Sequence, residues 1–358
     1  MKKRLAWLLM VCFLLTGCGN LLDGHYSSVK PHEQHSQTSE NQSVSARNYD
    51  QLYSALEDFV EAGRTDGIIS VEDYDQSKLE ADISKAIGVL KQSNPVAAYA
   101  VDSIRYELGK SGGADALALE ITYIHNLSQI LSIKTAGDNQ TALGQIKDAL
   151  QQCETELILR IKDYEQLDFV QAVENYALGY PQFVMEIPQV SVNIYPETGT
   201  DRVVELRFTY QTNRDSLRGM RQQVEPVFES ALLYVSGDGA DKEKFSQLYS
   251  FLAERYDYQI TTSITPAYSL LRHGVGDSRA FATVYAAMCR QAGLECLVVS
   301  GTYNGESRYW NIVCDDGIYY HVDLLEGSFS QYTDGQMIGF VWDYSAYPQC
   351  GMAPIVLF

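Results

Sequence analysis

A serine in a glycine-containing loop is the first residue of this sequence that could carry out chemistry. Ser278 lies in the stretch GVGDSRAFA, residues 274–282, directly before apolar residues with helical spacing. A hydroxyl at the start of a helix could attack a carbonyl carbon if a general base removed its proton. Histidine is the most common base, and this part of the chain offers His273 and His321. The residues alone therefore allow a hydrolase or acyltransferase that uses Ser278 with either histidine.

The residues downstream of the loop resemble those of a known family. After Phe281-Ala282 come the run AGLECLVVSG, the tetrapeptide RYWN beginning at Arg308, and the segment DGIYYHVD ending at Asp323. Over about residues 240–330 this order resembles the transglutaminase-like family, which has the papain-like cysteine-protease fold. The resemblance implies a helix packed on an antiparallel sheet. It also implies that positions 278, 308 and 323 are those of the nucleophile, the base and the orienting acid.

The family's chemistry requires a cysteine, a histidine and an aspartate at these positions, where this chain has Ser278, Arg308 and Asp323. An arginine stays protonated and has no acceptor atom. Loss of the nucleophile or the base from a catalytic triad costs on the order of 10⁶-fold in rate, or roughly 8 kcal/mol. We therefore expect a domain without catalytic residues, cofactor or metal.

In such a domain we expect a guanidinium nitrogen of Arg308 to lie within about 4 Å of an Asp323 oxygen. The planar fork of donors on arginine suits a bidentate pair there. The residues expected to line a binding groove are Tyr309, Trp310 and Asn311.

The first residues predict attachment to a membrane. The chain begins MKKRLAWLLMVCFLLTGC, in which basic residues precede a short apolar run and small residues precede Cys18. This pattern resembles a bacterial lipoprotein signal over residues 1–17, and its apolar run is short for a membrane span. Two acyl chains on Cys18, palmitate among them, would give a lasting anchor on the extracytoplasmic face of the cell membrane. Residues 18–48 are rich in Ser, Gln, Glu and His, which predicts a disordered tether.

The composition restricts the classes of partner. The net charge is -19, and it becomes -22 once the three basic residues at positions 2–4 are removed with the signal. Nucleic acid is excluded because its affinity for proteins comes from Lys and Arg residues that neutralise phosphates. The expected partners are the membrane, through the anchor, and a peptide, a protein or a cell-wall glycan.

The cysteines do not indicate a disulfide framework. Five of the seven follow Cys18, and none has the CxxC spacing. We expect these five to be free buried thiols, with one bridge among the last four as the alternative.

Two segments upstream of the loop share a pattern at a spacing of about 90 residues. Leu52–Tyr74 matches Ala142–Tyr164 in its apolar positions, for example Ile68 with Ile158. Each segment predicts a helix and a strand, and each is followed by a second helix and a hairpin. We interpret them as two α-β-α-β-β modules, the second a duplication of the first.

The predicted domain order is therefore an α/β module at residues 49–128, a second at 129–215, and a C-terminal part at 216–358. The last part comprises two lead-in helices and the family-like core at 240–330, which gives an α+β fold overall. One further alternative assigns binding to the repeated modules and leaves the C-terminal domain a structural role.

Overall fold

The structure is a computed structural model that describes residues 44–260 and 262–352 and has the predicted α+β fold. The predicted signal peptide, Cys18 and the tether up to residue 43 lie outside these described residues. Within them, no helix combines the length and the apolar character that a membrane span needs.

The first module contains one four-stranded sheet with the strand order β1-β2-β4-β3. Its first long helix begins after Asn48, whose side chain accepts a hydrogen bond from the backbone N–H of Gln51. The elements of the module are β1 (Val44–Ser45), α1 (Tyr49–Glu61), β2 (Asp66–Ser70), α2 (Leu79–Ser93), α3 (Pro95–Ala100), β3 (Val101–Ser111) and β4 (Ala114–Tyr123).

The second module contains a sheet with the equivalent strand order, β5-β6-β8-β7. Its elements are α4 (Leu127–Leu131), β5 (Lys134–Asp138), α5 (Asn139–Gln151), β6 (Glu156–Asp163), α6 (Phe169–Gly179), β7 (Gln189–Tyr195) and β8 (Arg202–Thr209). Each sheet has one strand ahead of the first predicted helix, and the first module has the additional short helix α3 after α2. The units are therefore β-α-β-α-α-β-β and β-α-β-α-β-β rather than α-β-α-β-β. These extra strands were missed because they are short or lack a run of apolar residues. The predicted boundary after residue 128 falls inside α4.

The two sheets also share their pairing register. In the first, Ile68 lies opposite Ala118, which lies opposite Glu107 on the next strand. In the second, Ile158 lies opposite Glu205, which lies opposite Asn193. Ile68 and Ile158, which match in the sequence, therefore occupy equivalent positions in the two sheets. This agreement is what a duplication predicts, and the duplication itself stays a prediction.

The outer faces of the two sheets, away from their long helices, differ in burial. Helix α3 of the first module packs on β7 and β8 of the second, where the ring of Tyr99 contacts the edge of Tyr195 at 5.7 Å between centroids. Ile158 on this covered face is 2% exposed, whereas its counterpart Ile68 is 55% exposed. The modules thus pack in succession, and the first one has no equivalent cover among the described residues.

The C-terminal domain has an antiparallel sheet with the order β13-β12-β11-β14 and a separate parallel pair, β9 with β10. Its elements are α7 (Arg214–Leu232), α8 (Asp241–Ala253), β9 (Asp257–Tyr258), α9 (Pro266–His273), β10 (Val275–Gly276), α10 (Ser278–Gln291), β11 (Cys296–Tyr303), β12 (Glu306–Asp315), β13 (Ile318–Val322) and β14 (Phe340–Trp342). The predicted helix on an antiparallel sheet is therefore present.

Helix α10 forms the centre of this domain. Its residues Phe281 and Tyr285 are buried in a core shared with α8 and with one face of the sheet. The helix ends before Gly293, which has a φ of 77° and so suits the left-handed position after a helix. The other face of the sheet is covered by a smaller cluster that includes Trp310 and Trp342. The sheet is therefore covered by apolar residues on both faces. Polar side chains that are buried at its end need hydrogen-bond or charge partners there.

Candidate functional site

Ser278 is the first residue of α10 and lies beside the sheet. The preceding residue, Asp277, caps the helix by accepting a hydrogen bond from the N–H of Ala280 at 2.9 Å. The loop approaches the helix closely at Gly276, where a Cβ atom would lie 2.9 Å from that of Ala280. Ser278 is buried, and its Oγ accepts a hydrogen bond from the backbone N–H of Tyr309 on β12 at 3.1 Å. The predicted nucleophile position is thus held between a helix terminus and a strand.

Arg308 and Asp323 form an ion pair at the end of the sheet. Nε and Nη2 of Arg308 lie 3.2 and 2.5 Å from Oδ2 of Asp323, and the side chains are 14% and 2% exposed. The predicted contact within about 4 Å is confirmed. The predicted bidentate geometry is wrong, because both nitrogens contact one oxygen. The other oxygen, Oδ1, accepts a hydrogen bond from the N–H of Leu325 at 3.1 Å, just beyond the end of β13.

Two tyrosine rings lie against the Arg308 guanidinium group. Its central carbon is 5.9 Å from the ring centroid of Tyr258 and 5.8 Å from that of Tyr303, distances at which a cation is attracted to the ring face. The parallel pairing of β9 with β10 sets Tyr258 opposite Gly276, next to the Ser278 loop. No pattern in the sequence indicates a role for Tyr258, because β9 has only two residues and its partner strand is equally short.

A comparison with protein families identifies this part of the chain. Residues 231–348 match the family model described as the transglutaminase-like superfamily. They form a transglutaminase-like domain. The match extends beyond the predicted core at both ends, so that it includes the last residues of α7 and the edge strand β14.

Solved structures with similarity to the chain include a TGase, with 12% identity, a TM-score of 0.27, and coverage of 58% of this chain and 61% of that one. A candidate cysteine protease from Cytophaga hutchinsonii has 11% identity, a TM-score of 0.26, and coverage of 40% and 65%. A candidate protease from Parabacteroides distasonis has 9% identity, a TM-score of 0.24, and coverage of 62% and 35%. The chain covers less than two thirds of each of these proteins. No curated protein matches it.

The transglutaminase-like domain brings Ser278, Arg308 and Asp323 together, but their contacts do not form a proton relay. Arg308 lies in the position predicted for the base, and a guanidinium group accepts no proton. Ser278 Oγ accepts a hydrogen bond from Tyr309, and among the described residues no side chain accepts a hydrogen bond from its hydroxyl. The hydrogen-bond donors of this arrangement could hold a ligand. Among the described residues, however, no group is placed to accept the proton of the Ser278 hydroxyl.

Neither alternative histidine contacts Ser278 in the described structure. His273 is exposed at the end of α9, with its ring against the edge of Tyr268 at 5.2 Å. His321 is fully buried, and its Nδ1 accepts a hydrogen bond from the indole N–H of Trp310 at 3.0 Å. Its Nε2 lies 2.9 Å from Oδ1 of Asp334. Burial lowers the pKa of His321, an effect that the Asp334 carboxylate opposes only in part.

The same histidine belongs to a cluster with metal-ligand residue types. Ligand atoms of His321, Asp334 and Cys350 all lie within 4.8 Å of one another. The indole of Trp310 is only a donor, so Nδ1 of the neutral imidazole must be unprotonated and Nε2 must carry the proton. A metal would need the lone pair of that same Nε2, and burial raises the pKa of the Cys350 thiol to about 12. These residues therefore do not fit a metal and instead connect the segment around residues 334–350 to the sheet.

Two of the three predicted groove residues are wrong. Trp310 is fully buried and packs against Phe340 and Trp342 on the far face of the sheet. Asn311 is also fully buried, and its Nδ2 donates to the carbonyl oxygens of Ala282 and Leu297 at 2.9 and 3.1 Å. Both residues therefore hold the sheet together and cannot line an open groove.

The third groove residue, Tyr309, keeps a place at the site. Its backbone N–H donates to Ser278 Oγ, and its side chain is partly exposed.

The cysteines of the described residues are free thiols, and Cys314 alone among the five is partly exposed. Burial raises the pKa of Cys153 and, more strongly, that of Cys289. A raised thiol pKa disfavours the thiolate, so these cysteines have the character of core residues rather than nucleophiles.

Proposed function

We propose that this protein is a lipid-anchored, extracytoplasmic protein whose transglutaminase-like domain binds a ligand or partner at the cell envelope without catalysing a reaction. The observation that carries the proposal is the Arg308–Asp323 ion pair, with nitrogen–oxygen distances of 2.5 and 3.2 Å. It fills the place in which a catalytic imidazole would lie against its aspartate.

The ion pair supports the loss of catalysis in two ways. It supplies a permanently protonated group where proton acceptance is needed. It also gives Asp323 a charge partner, and without one a buried carboxylate would be costly. A site with these contacts is stable without an imidazole, so it can persist as a binding surface.

The location at the envelope is supported by the N-terminal sequence. Its basic start, apolar run and Cys18 have the order of a lipoprotein signal, and the tether-like composition of residues 18–48 would separate the folded part from the membrane. The acidic net charge of -19 suits a folded domain that is kept in solution beside a membrane.

The proposal is tested with reactive probes for nucleophilic hydroxyls and thiols, a fluorophosphonate and an iodoacetamide, applied to the purified native protein. We expect no labelling that depends on Ser278. Labelling by the fluorophosphonate that disappears in Ser278→Ala and persists in the matched variant Ser263→Ala would overturn the proposal, because Ser263 lies in the loop before α9.

A reconstruction provides the complementary test. Arg308→His alone should remain unreactive towards iodoacetamide at position 278, because a serine stays a weak nucleophile. The double variant Ser278→Cys, Arg308→His places a thiol at the helix start beside an imidazole, which can accept the thiol proton as Arg308 cannot. We expect faster alkylation of this thiol than in Ser278→Cys with Arg308 retained, measured as the pH dependence of the labelling rate.

A further inference from the structure

One edge of the Arg308 guanidinium group remains available beside the ion pair. Asp323 takes Nε and Nη2, and no hydrogen bond within the described residues uses Nη1. The side chain is 14% exposed, so part of it reaches the surface. An arginine fork presents five N–H donors, and a carboxylate on one side leaves donors on the other.

The surroundings of this edge are aromatic and carry further donors. Tyr258 and Tyr303, whose rings lie against the guanidinium group, are 45% and 38% exposed as whole residues. Within the described residues no hydrogen bond engages either phenolic hydroxyl. The Ser278 hydroxyl uses its oxygen as an acceptor for Tyr309 and keeps its proton as a donor.

The acceptors of the site are already in use. Oδ2 of Asp323 is taken by Arg308 and Oδ1 by the N–H of Leu325. The site thus offers a ligand several donors next to two aromatic faces. A cation would find only engaged carboxylate oxygens, whereas a planar anion matches both the donors and the guanidinium fork.

We propose that the Arg308 site binds a carboxylate that is joined to an apolar or aromatic group. The carboxylate accepts hydrogen bonds from the free edge of Arg308, and the adjoining group lies on the rings of Tyr258 and Tyr303. This inference rests on the proposed non-catalytic function, because it treats the carboxylate as a ligand that the site binds without converting it.

Short-range contacts rather than the overall field determine this binding. The Arg308–Asp323 pair is neutral as a unit, and the chain carries a net charge of -19, which repels anions at long range. Hydrogen bonds to a charged group contribute enough to change a dissociation constant by about 10- to 100-fold. The free acid should therefore bind at least about tenfold more tightly than its neutral amide.

The test compares N-acetyl-L-phenylalanine with N-acetyl-L-phenylalaninamide, two probes that differ only in the carboxylate. Saturation-transfer NMR titrations with the full-length protein give both dissociation constants. We expect binding of the acid and weaker binding of the amide. The double variant Arg308→Gln, Asp323→Asn removes both charges and should abolish the difference, while Arg272→Gln, at an exposed arginine near the end of α9, should retain it.

Tyr258→Leu serves as a second variant in case the double variant does not fold, because Tyr258 is exposed and lies outside the core. It should weaken the binding of both probes. Equal affinity for acid and amide, unchanged affinities in both site variants, or equally tight binding of inorganic phosphate would overturn the inference. The probe-labelling result at Ser278 is independent of these titrations, so failure of the inference and failure of the proposed function can be told apart.

Discussion

Replacement of Arg308 by alanine should destabilise the transglutaminase-like domain more than a surface substitution does. Asp323 is 2% exposed and would keep only the N–H of Leu325 as a hydrogen-bond donor. Removing one partner of a buried ion pair costs about 3–5 kcal/mol, because the remaining charge is left without compensation. Arg308 is itself 14% exposed and the Leu325 bond persists, so we expect the lower end, about 3 kcal/mol of unfolding free energy.

The double variant Arg308→Met, Asp323→Leu should recover most of this loss. A buried ion pair contributes little more than well-packed apolar residues of similar volume, so removing both charges avoids the penalty of the unpaired carboxylate. The difference between the single and double variants measures the cost of the lone Asp323 charge and separates it from lost packing around the arginine stem.

Tryptophan fluorescence in urea is a suitable assay. Apart from Trp7, the tryptophans of the chain are Trp310 and Trp342. Both are buried in the sheet of this domain, so their emission reports its unfolding. A loss of about 3 kcal/mol lowers the urea midpoint by about 1–3 M. The control Arg272→Ala, at an exposed position, should change the unfolding free energy by less than about 0.5 kcal/mol. A cost of Arg308→Ala no larger than that of the control would refute the reasoning.

Three further predictions concern other parts of the molecule. Cys18→Ala should release the protein from membranes, which cell fractionation and immunoblotting would detect; unchanged membrane association would contradict the lipid anchor. Because burial lowers the pKa of His321, the unfolded state binds a proton more readily than the folded state, so stability should fall as the pH drops below about 6.5. The urea midpoint should therefore be lower at pH 5 than at pH 7.5, and this difference should be smaller in His321→Gln. An unaltered pH dependence in that variant would count against a buried neutral imidazole. Gly301→Ala should destabilise the sheet edge by about 1–3 kcal/mol in the same assay, because its Cβ would lie 2.2 Å from the carbonyl oxygen of Val341; Gly335→Ala, where a Cβ meets nothing within 4 Å, is the matched control.

The sequence predicts this fold best where spacing and turn residues agree. Apolar residues with helical spacing and the glycine that follows them indicate helix α10. Asn304-Gly305 has the positive φ angles, 52° and 87°, that a tight hairpin turn needs. Short elements were not predicted because they contain too few residues to show a pattern. β9 and β10 have two residues each, too few for an alternating pattern. They form because the Ser278 loop, which contains β10, pairs with β9.

The site could be predicted only in part, because some of its contacts come from residues outside the positions that the family resemblance indicates. The resemblance to the transglutaminase-like family implies that Arg308 and Asp323 occupy the neighbouring positions of the base and the acid, which is enough to predict an ion pair. It does not indicate which carboxylate oxygen is free, because that depends on the Leu325 amide beyond the strand end. The groove prediction failed at Trp310 and Asn311 because the sheet is covered on both faces, and alternation along a strand cannot show a second cover.

The position of His321 shows why the missing base is not replaced from elsewhere in the sheet. Its place two residues before Asp323 suggests that it could reach the same site, yet β13 ends at Val322 and the two side chains have different partners. To accept a proton from Ser278, the imidazole would have to break its hydrogen bonds to Trp310 and Asp334 and leave a buried site. The indole N–H of the fully buried Trp310 would be left without a partner, at a cost of about 1–3 kcal/mol. Recovery of the family's chemistry therefore requires new residues at positions 278 and 308 rather than a change of side-chain rotamer.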